Sequence, residues 1–357
     1  MKKAIVTFLI FIFGLLFLLF ALVASAVIPK NALQLNLLES AVFLKSNKMY
    51  FNLIAAQDST KQDHYGDTIL LSIAYYLDED HPLESAMWSK YYYDKEHEPT
   101  ENNYTAIVNG YPANQEYLRY WHGSLVPVRI MHLFWNVNQI YIFHAVLMAV
   151  LLIILTMQLL CQSFWKEAIA IIFSFLMVRI WAVPFSLEYT WAFLCMLFFS
   201  IICVRSPYSK HIGIYFMLCG MLTVYLDFLT TETLSLLIPL LLILRIRSIH
   251  HKEAALWKFI ISSCLMWGIG YAGMWIMKWV IASLVLHQNV MPYVWGHIEE
   301  RIGGNVYLQD RFHRHHHLGV ISTFVIPVPS TMMFSPGFST GKSPTVSTRF
   351  GFRFSAP

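Results

Sequence analysis

Long apolar stretches separated by short basic links constrain this chain more than any other feature of its sequence. The first runs almost unbroken from Ala4 to Ile28, behind Met1-Lys2-Lys3. Its length exceeds the roughly 7–15 residues of a signal-peptide core and is enough to cross a bilayer, which needs about 20 apolar residues. Ala24-Ser25-Ala26 has the small-residue pattern of a signal-peptidase site, but length favours an uncleaved anchor. Six more spans are expected at about 138–160, 168–184, 189–204, 212–227, 234–245 and 257–283, with Pro184 and Pro239 interrupting two of them. The fold class expected is therefore an all-α polytopic membrane protein of about seven transmembrane helices.

Charge distribution orients this arrangement. Lys166, then Arg205 and Lys210, then Arg245, Arg247 and Lys252 fall in alternate links, whereas 185–189 and 228–233 carry neither Lys nor Arg. Positive links stay on the cytoplasmic side, so the amino terminus is expected inside the plasma membrane. At 57% hydrophobic and 13% charged residues the composition is far from a soluble domain, about a quarter of which is charged. A net charge of +4, scattered between spans, argues against nucleic-acid binding. The five cysteines lie in or beside apolar runs without close-spaced partners, which points to buried small hydrophobes rather than disulfides or a zinc site.

The chain divides into a first helix at 1–28, an external loop with interfacial helices at 29–137, a six-helix bundle at 138–286, and an amphipathic segment with an irregular tail at 287–357. Within the loop, Ile69 to Leu77 is an apolar run flanked by Asp63 and Asp67 before it and by Asp78-Glu79-Asp80 after it. Gly66-Asp67 reads as a helix start, with Asp67 able to cap the first turn. Tyr120-Trp121-His122-Gly123 suits a membrane interface, and a short amphipathic piece at Val126 to Trp135 would point Arg129 to headgroups. Asn103-Tyr104-Thr105 is a formal glycosylation sequon. Residues 289–302 fit one further amphipathic helix. From Arg311 onward no acidic residue occurs, a break that a truncated or frameshifted end would leave, and His313–His317 reads as a basic tract rather than a metal site.

Ionisable residues near the outer ends of spans are the functional candidates, because a charge in a span costs several kcal/mol unless paired or wetted. Arg179, Glu188, Asp227, Glu232 and Lys278 stand there and, with Asp67, Asp78 and Asp80, are expected to form one external belt. A lipid-phosphate donor in the outer leaflet would need cations for its phosphate and carboxylates for base or metal chemistry. Accordingly Asp67, Asp227, Glu232 and His122 are the catalytic candidates. Arg179, Lys278, Arg301 and Trp121 are the substrate-binding ones, and Asp78 and Asp80 are candidate ligands for a divalent ion such as Mg or Mn.

One helix, an acidic external loop with interfacial helices, and six more spans resembles the shared module of the C-type membrane glycosyltransferases. The likeness covers about residues 4–302 and rests on Asp67, the Asp78–Asp80 triplet and the Tyr120–Gly123 stretch. Gly66-Asp67-Thr68, Asp227-Phe228-Leu229-Thr230 and Gly270-Tyr271 with Lys278-Trp279 are also similar to uncharacterised polytopic proteins of Gram-positive bacteria. The resemblance implies a polyprenyl-phosphate sugar as donor, an external acceptor, and catalytic or metal-binding acidic residues in the first loop. Two other readings stand beside it. A transporter or flippase would place its charges near mid-membrane on repeated spans, whereas here they cluster at one edge. A non-catalytic protein could bind an envelope partner through a loop rich in tyrosine, among them Tyr75, Tyr76 and Tyr91 to Tyr93.

Overall fold

The computed structural model describes residues 2–47, 49–54, 61–226, 230–249 and 253–303. The described chain is mostly helical. The first helix, α1 (Lys2–Ala26), carries the anchor sequence and stops just before Pro29, whose ring disfavours helical backbone in the residue ahead of it. Pro29 in turn opens α2 (Lys30–Asn47), its carbonyl accepting the Ala32 N–H at 3.1 Å. Leu33, Leu37, Ala41 and Leu44 form the buried face of α2 at helical spacing.

The segment expected as a loop is largely ordered into short helices. An antiparallel pair, β1 (Tyr50–Asn52) and β2 (Lys61–Asp63), in the register Phe51 opposite Gln62, amends the all-α expectation. It is followed by α3 (Tyr65–Tyr76), α4 (Pro82–Trp88), α5 (Pro99–Asn109) and α6 (Leu125–His132). Both α4 and α5 begin on a proline, whose missing N–H costs nothing in the first turn. Asn103, the sequon asparagine, is 1% exposed on α5, so the folded chain does not present it.

The bundle comprises α7 (Val137–Cys161), α8 (Trp165–Met177), α9 (Leu187–Arg205), α10 (Ile212–Leu226), α11 (Leu234–Ser248) and α12 (Glu253–Val285), before α13 (Met291–Gly303). Among the described residues four helices are long and apolar enough to cross a membrane: Ala4–Ala26, Val137–Cys161, Leu187–Arg205 and Ala255–Val285. Their outward sides are apolar, with Phe13 and Phe20 on α1, Ile153 on α7 and Leu265 on α12 all more than half exposed. By contrast α8, α10 and α11 have 13, 15 and 15 residues. At 1.5 Å per residue these reach about 20–22 Å, short of a hydrocarbon core of about 30 Å.

The span expected over 168–184 is cut short for a local reason. Arg179 takes the left-handed conformation (φ 54°), its N–H donates to Leu176, and the Ile180 N–H reaches back to Phe175. This is a Schellman ending with arginine where glycine is usual, sealed by the buried pair Phe175 and Ile180. A 3₁₀ turn (Val183–Phe185) then carries the chain to α9. Within α11, Pro239 cannot bond the Ser235 carbonyl, and the Cys219 thiol of α10 takes it at 3.2 Å.

Contacts sort the bundle helices into alternating directions. At one end Arg245 pairs with Glu167 at 2.5 Å, while Arg247 donates to the Pro207 carbonyl at 2.7 Å and lies 4.0 Å from the Phe259 ring. That joins the start of α8, the α9–α10 link, the end of α11 and the start of α12. At the opposite end the start of α9 meets α3, the end of α10 meets Gly123, and the last third of α12 meets Trp121. Here α2–α6 sit as a cap. Packing between α10 and α12 is closest: a β-carbon on Gly220 would strike the Trp267 carbonyl oxygen, and one on Gly270 that of Met217.

Candidate functional site

Asp67 occupies the first turn of α3 but does not cap its own helix, contrary to the expectation from Gly66-Asp67. Its carboxylate crosses to α9, where Oδ1 accepts the Glu188 N–H at 3.1 Å and the Ser186 hydroxyl at 3.3 Å. Oδ2 accepts the Tyr141 hydroxyl. The group is 0% exposed and places a negative charge at the α9 amino end, where the helix dipole favours it. Gly66 makes the approach possible, since a β-carbon there would collide with the Glu188 carboxylate.

Burial raises the Asp67 acid to about 6, against the lowering effect of bonds from Tyr141, Leu187, Glu188 and Ser186. A folded-state value above the unfolded one means the folded chain binds this proton more readily. The contribution to stability is therefore largest below about pH 4 and is lost as pH rises to about 6. Asn in its place can still accept from α9 while Tyr141 turns to accept from the amide. We expect Asp67→Asn to keep its melting temperature at pH 7.5 within a few degrees, and Asp67→Ala to lose about 2–3 kcal/mol by stranding those buried donors. Equal melting temperatures for the two variants would remove the capping role.

Lys278, expected as a contact for donor phosphate, is 0% exposed and is spent on another helix end. Its Nζ donates to the Met87 carbonyl at 3.1 Å and the Ala86 carbonyl at 3.5 Å, closing the carboxyl end of α4. Trp121 and His122 stand beside it. The Trp121 ring lies 5.8 Å from Nζ, and its indole N–H donates to the Met274 carbonyl at 2.8 Å. His122 is held at φ 52°, and its Nε2 donates to the Tyr117 carbonyl at 3.2 Å. Burial first, then the Lys278 and Arg119 charges, pushes the imidazole down to about 3. His122, Trp121 and Lys278, three of the candidate residues, thus come together in the interior, and Asp67 belongs to a separate cluster.

Arg129 follows the same rule. It does not reach headgroups: at 1% exposure its guanidinium donates to the carbonyls of Ser25 (2.9 Å) in the last turn of α1 and Ile28 (2.5 Å) just after it, and to that of Ala74 at the end of α3. Three buried ions therefore serve helix termini, anion at an amino end and cations at carboxyl ends.

The remaining expected residues are dispersed. Asp78 and Asp80 are exposed, with the Asp78 Oδ1 accepting the Asp80 N–H at 3.0 Å in a turn. The described residues hold no group of three His, Cys, Asp or Glu placed to bind a metal. Arg179 is half-buried at the end of α8, and Glu232 is half-buried just before α11. Asp227 lies outside the described residues, as does the tail with its histidines. Arg301 falls in the last turn of α13, and its side chain is likewise not described.

One open pocket, of about 530 Å³, lies on the cap. Its frame is a bridge between two distant segments: Tyr91 and Gln115 exchange backbone bonds at 3.1 and 3.0 Å, and the Asn114 amide bonds both backbone groups of Tyr93. α13 closes one side, the Tyr293 hydroxyl donating to the Glu116 carbonyl at 3.1 Å. On the other side the Trp279 indole donates to the Arg119 carbonyl at 3.4 Å, tying the wall to α12. The Arg119 guanidinium is set between the rings of Tyr117 (4.8 Å) and Tyr120 (5.5 Å), and Lys90 lies 4.7 Å from the Trp88 ring. Among the described residues neither cation pairs with a carboxylate. Such a site can hold an anion and a flat or ring-shaped group together. Sequence reasoning passed over it, since Lys90 and Arg119 are brought together only by the Tyr91–Gln115 bridge. The density of tyrosines was its one visible signal. Comparison of the chain with family models, curated proteins and solved structures returns no match.

Proposed function

We propose that this chain is a seven-span plasma-membrane protein, amino terminus inside and cap outside, that transfers sugar from a polyprenyl-phosphate donor to an external acceptor. The observation that carries the reading is the pocket on the cap lined by Lys90 and Arg119, with Trp279 bonded to its wall and Trp275 against Tyr120, aromatic residues of the kind that favour a membrane interface. The clustering of Arg245, Arg247 and the α9–α10 link at the other end supports the orientation. The three short helices reach the interfaces through their flanking turns and snorkelling basic residues.

In this reading Arg119 and Lys90 hold the acceptor, and the Glu116 carboxylate on the pocket rim takes its proton. The acceptor oxygen bonds to the anomeric carbon as the bond from that carbon to phosphate oxygen breaks, and polyprenyl phosphate leaves as the anion. Asp67 and Lys278 hold the scaffold. Purified protein in nanodiscs should release polyprenyl phosphate from a suitable donor, and Glu116→Gln should slow turnover about 10²–10⁴-fold with donor binding intact. Donor binding without release from the parent protein would favour a second reading, an envelope-binding protein without catalysis. That reading is favoured by the use of Asp67 and Lys278 as helix caps. Labelling of a cysteine at position 205 from outside intact cells would overturn the topology.

A further inference from the structure

The pocket on the cap joins two chemistries that a lipid headgroup site alone would not require. One is anionic: Arg119 is oriented by two tyrosine rings, and Lys90 lines the same space. The other is a shelf for a ring: Tyr91, Tyr117 and Tyr293 come from three separate segments and converge on one wall set. Between them Asn114 and Gln115 present amide groups suited to hydroxyls. The lining is mostly polar, with Ala113 its one aliphatic side chain, and lies on the cap, whereas many of the exposed phenylalanine and leucine side chains lie along α1, α7 and α12. A prenyl chain therefore finds no place in it.

We infer that this pocket binds the water-borne saccharide, and that the saccharide is anionic, carrying a phosphate or carboxylate within one ring's reach of its stacking face. Arg119 grips the charge in a planar, forked contact, Lys90 adds a second positive charge at the mouth, and the tyrosine faces cover the apolar side of the sugar ring. The inference rests on the outward-facing cap proposed above but not on catalysis, and it assigns the pocket to the acceptor side of the reaction.

The test uses the full-length chain in nanodiscs, titrated calorimetrically with glucose 1-phosphate, glucose, inorganic phosphate and a polyprenyl phosphate. Glucose 1-phosphate should bind at least about tenfold more tightly than glucose or phosphate alone. Arg119→Met should weaken it by about 10–100-fold, as loss of a charge-assisted contact does. Lys90→Met, at an exposed position that cannot disturb folding, should weaken it about threefold to tenfold and reduce its dependence on salt. Polyprenyl phosphate should not compete. Equal affinity for phosphate and sugar phosphate would reduce the site to an unselective anion patch and overturn the inference. Competition by polyprenyl phosphate would reassign the pocket to the lipid and overturn it as well. Failure of sugar release with normal sugar-phosphate binding removes the transferase reading and leaves this one standing.

Discussion

Arg129→Met is expected to lower the melting temperature of the detergent-solubilised protein by more than about 10 °C and to open the cap to protease. Methionine preserves the length and apolar stem of the side chain but offers no donor. The carbonyls of Ser25, Ile28 and Ala74 would then lose the guanidinium together, at a site where the side chain is 1% exposed, with Ser25 alone keeping a second donor, the Ile28 N–H at 3.3 Å. Each buried acceptor left alone costs about 1–3 kcal/mol, so the sum approaches a substantial part of a typical total stability of about 5–15 kcal/mol. Removal of a desolvated charge offsets some of this. Lysine at the same position should fall between, since an ammonium cannot present the planar fork that spans three carbonyls. A methionine variant that melts with the parent would show that the carbonyls find other donors and that α1 and α3 do not depend on this side chain.

Gly270→Ala should be comparably damaging, although it adds a single methyl group. That methyl would lie 2.1 Å from the Met217 carbonyl oxygen, and backbone atoms cannot move aside by changing rotamer. The helices must separate, and the contact of Gly220 with Trp267 is lost with it. Gly268, two residues earlier on α12, has nothing within 4 Å of a β-carbon. Gly268→Ala is therefore the internal control, and should be neutral or stabilising by up to about 1 kcal/mol through helix propensity. The pair is read by fluorescence-detected gel filtration after heating. Similar behaviour of the two alanine variants would mean that α10 and α12 do not approach as closely as described.

The parts of this fold legible in the sequence are those written in apolar runs. The bounds of α7, α9 and α12 lie within a few residues of the expected spans, and α3 and α13 emerge where a local apolar or amphipathic pattern begins. α2 escaped notice because LQLNLLESAVFL mixes polar residues into its apolar face, yet Leu33, Leu37, Ala41 and Leu44 keep strict helical spacing. α4 and α5 are too short for periodicity, and only Pro82 and Pro99 announced them. The charges stand out in the sequence, but their structural partners do not. Asp67, Arg129 and Lys278 were matched with ligands, headgroups or one another, when most of their contacts are backbone groups. A carbonyl or N–H at a helix end has no residue type to betray it, so that pairing is invisible until the chain is folded.

The use of Lys278 at the end of α4 also sets an order of events during synthesis. Lys278 and Met87 are 191 residues apart. At about 5–20 residues per second, the ribosome needs roughly 10–40 s to supply the ammonium after α4 has emerged. Through that interval the α4 carbonyls have no final partner, and the cap cannot close on itself. Completion of the cap therefore waits for the synthesis of α12, which makes that helix a checkpoint in biogenesis. A chain stalled before it would present an unfinished cap to quality-control proteases, however well its earlier spans were inserted.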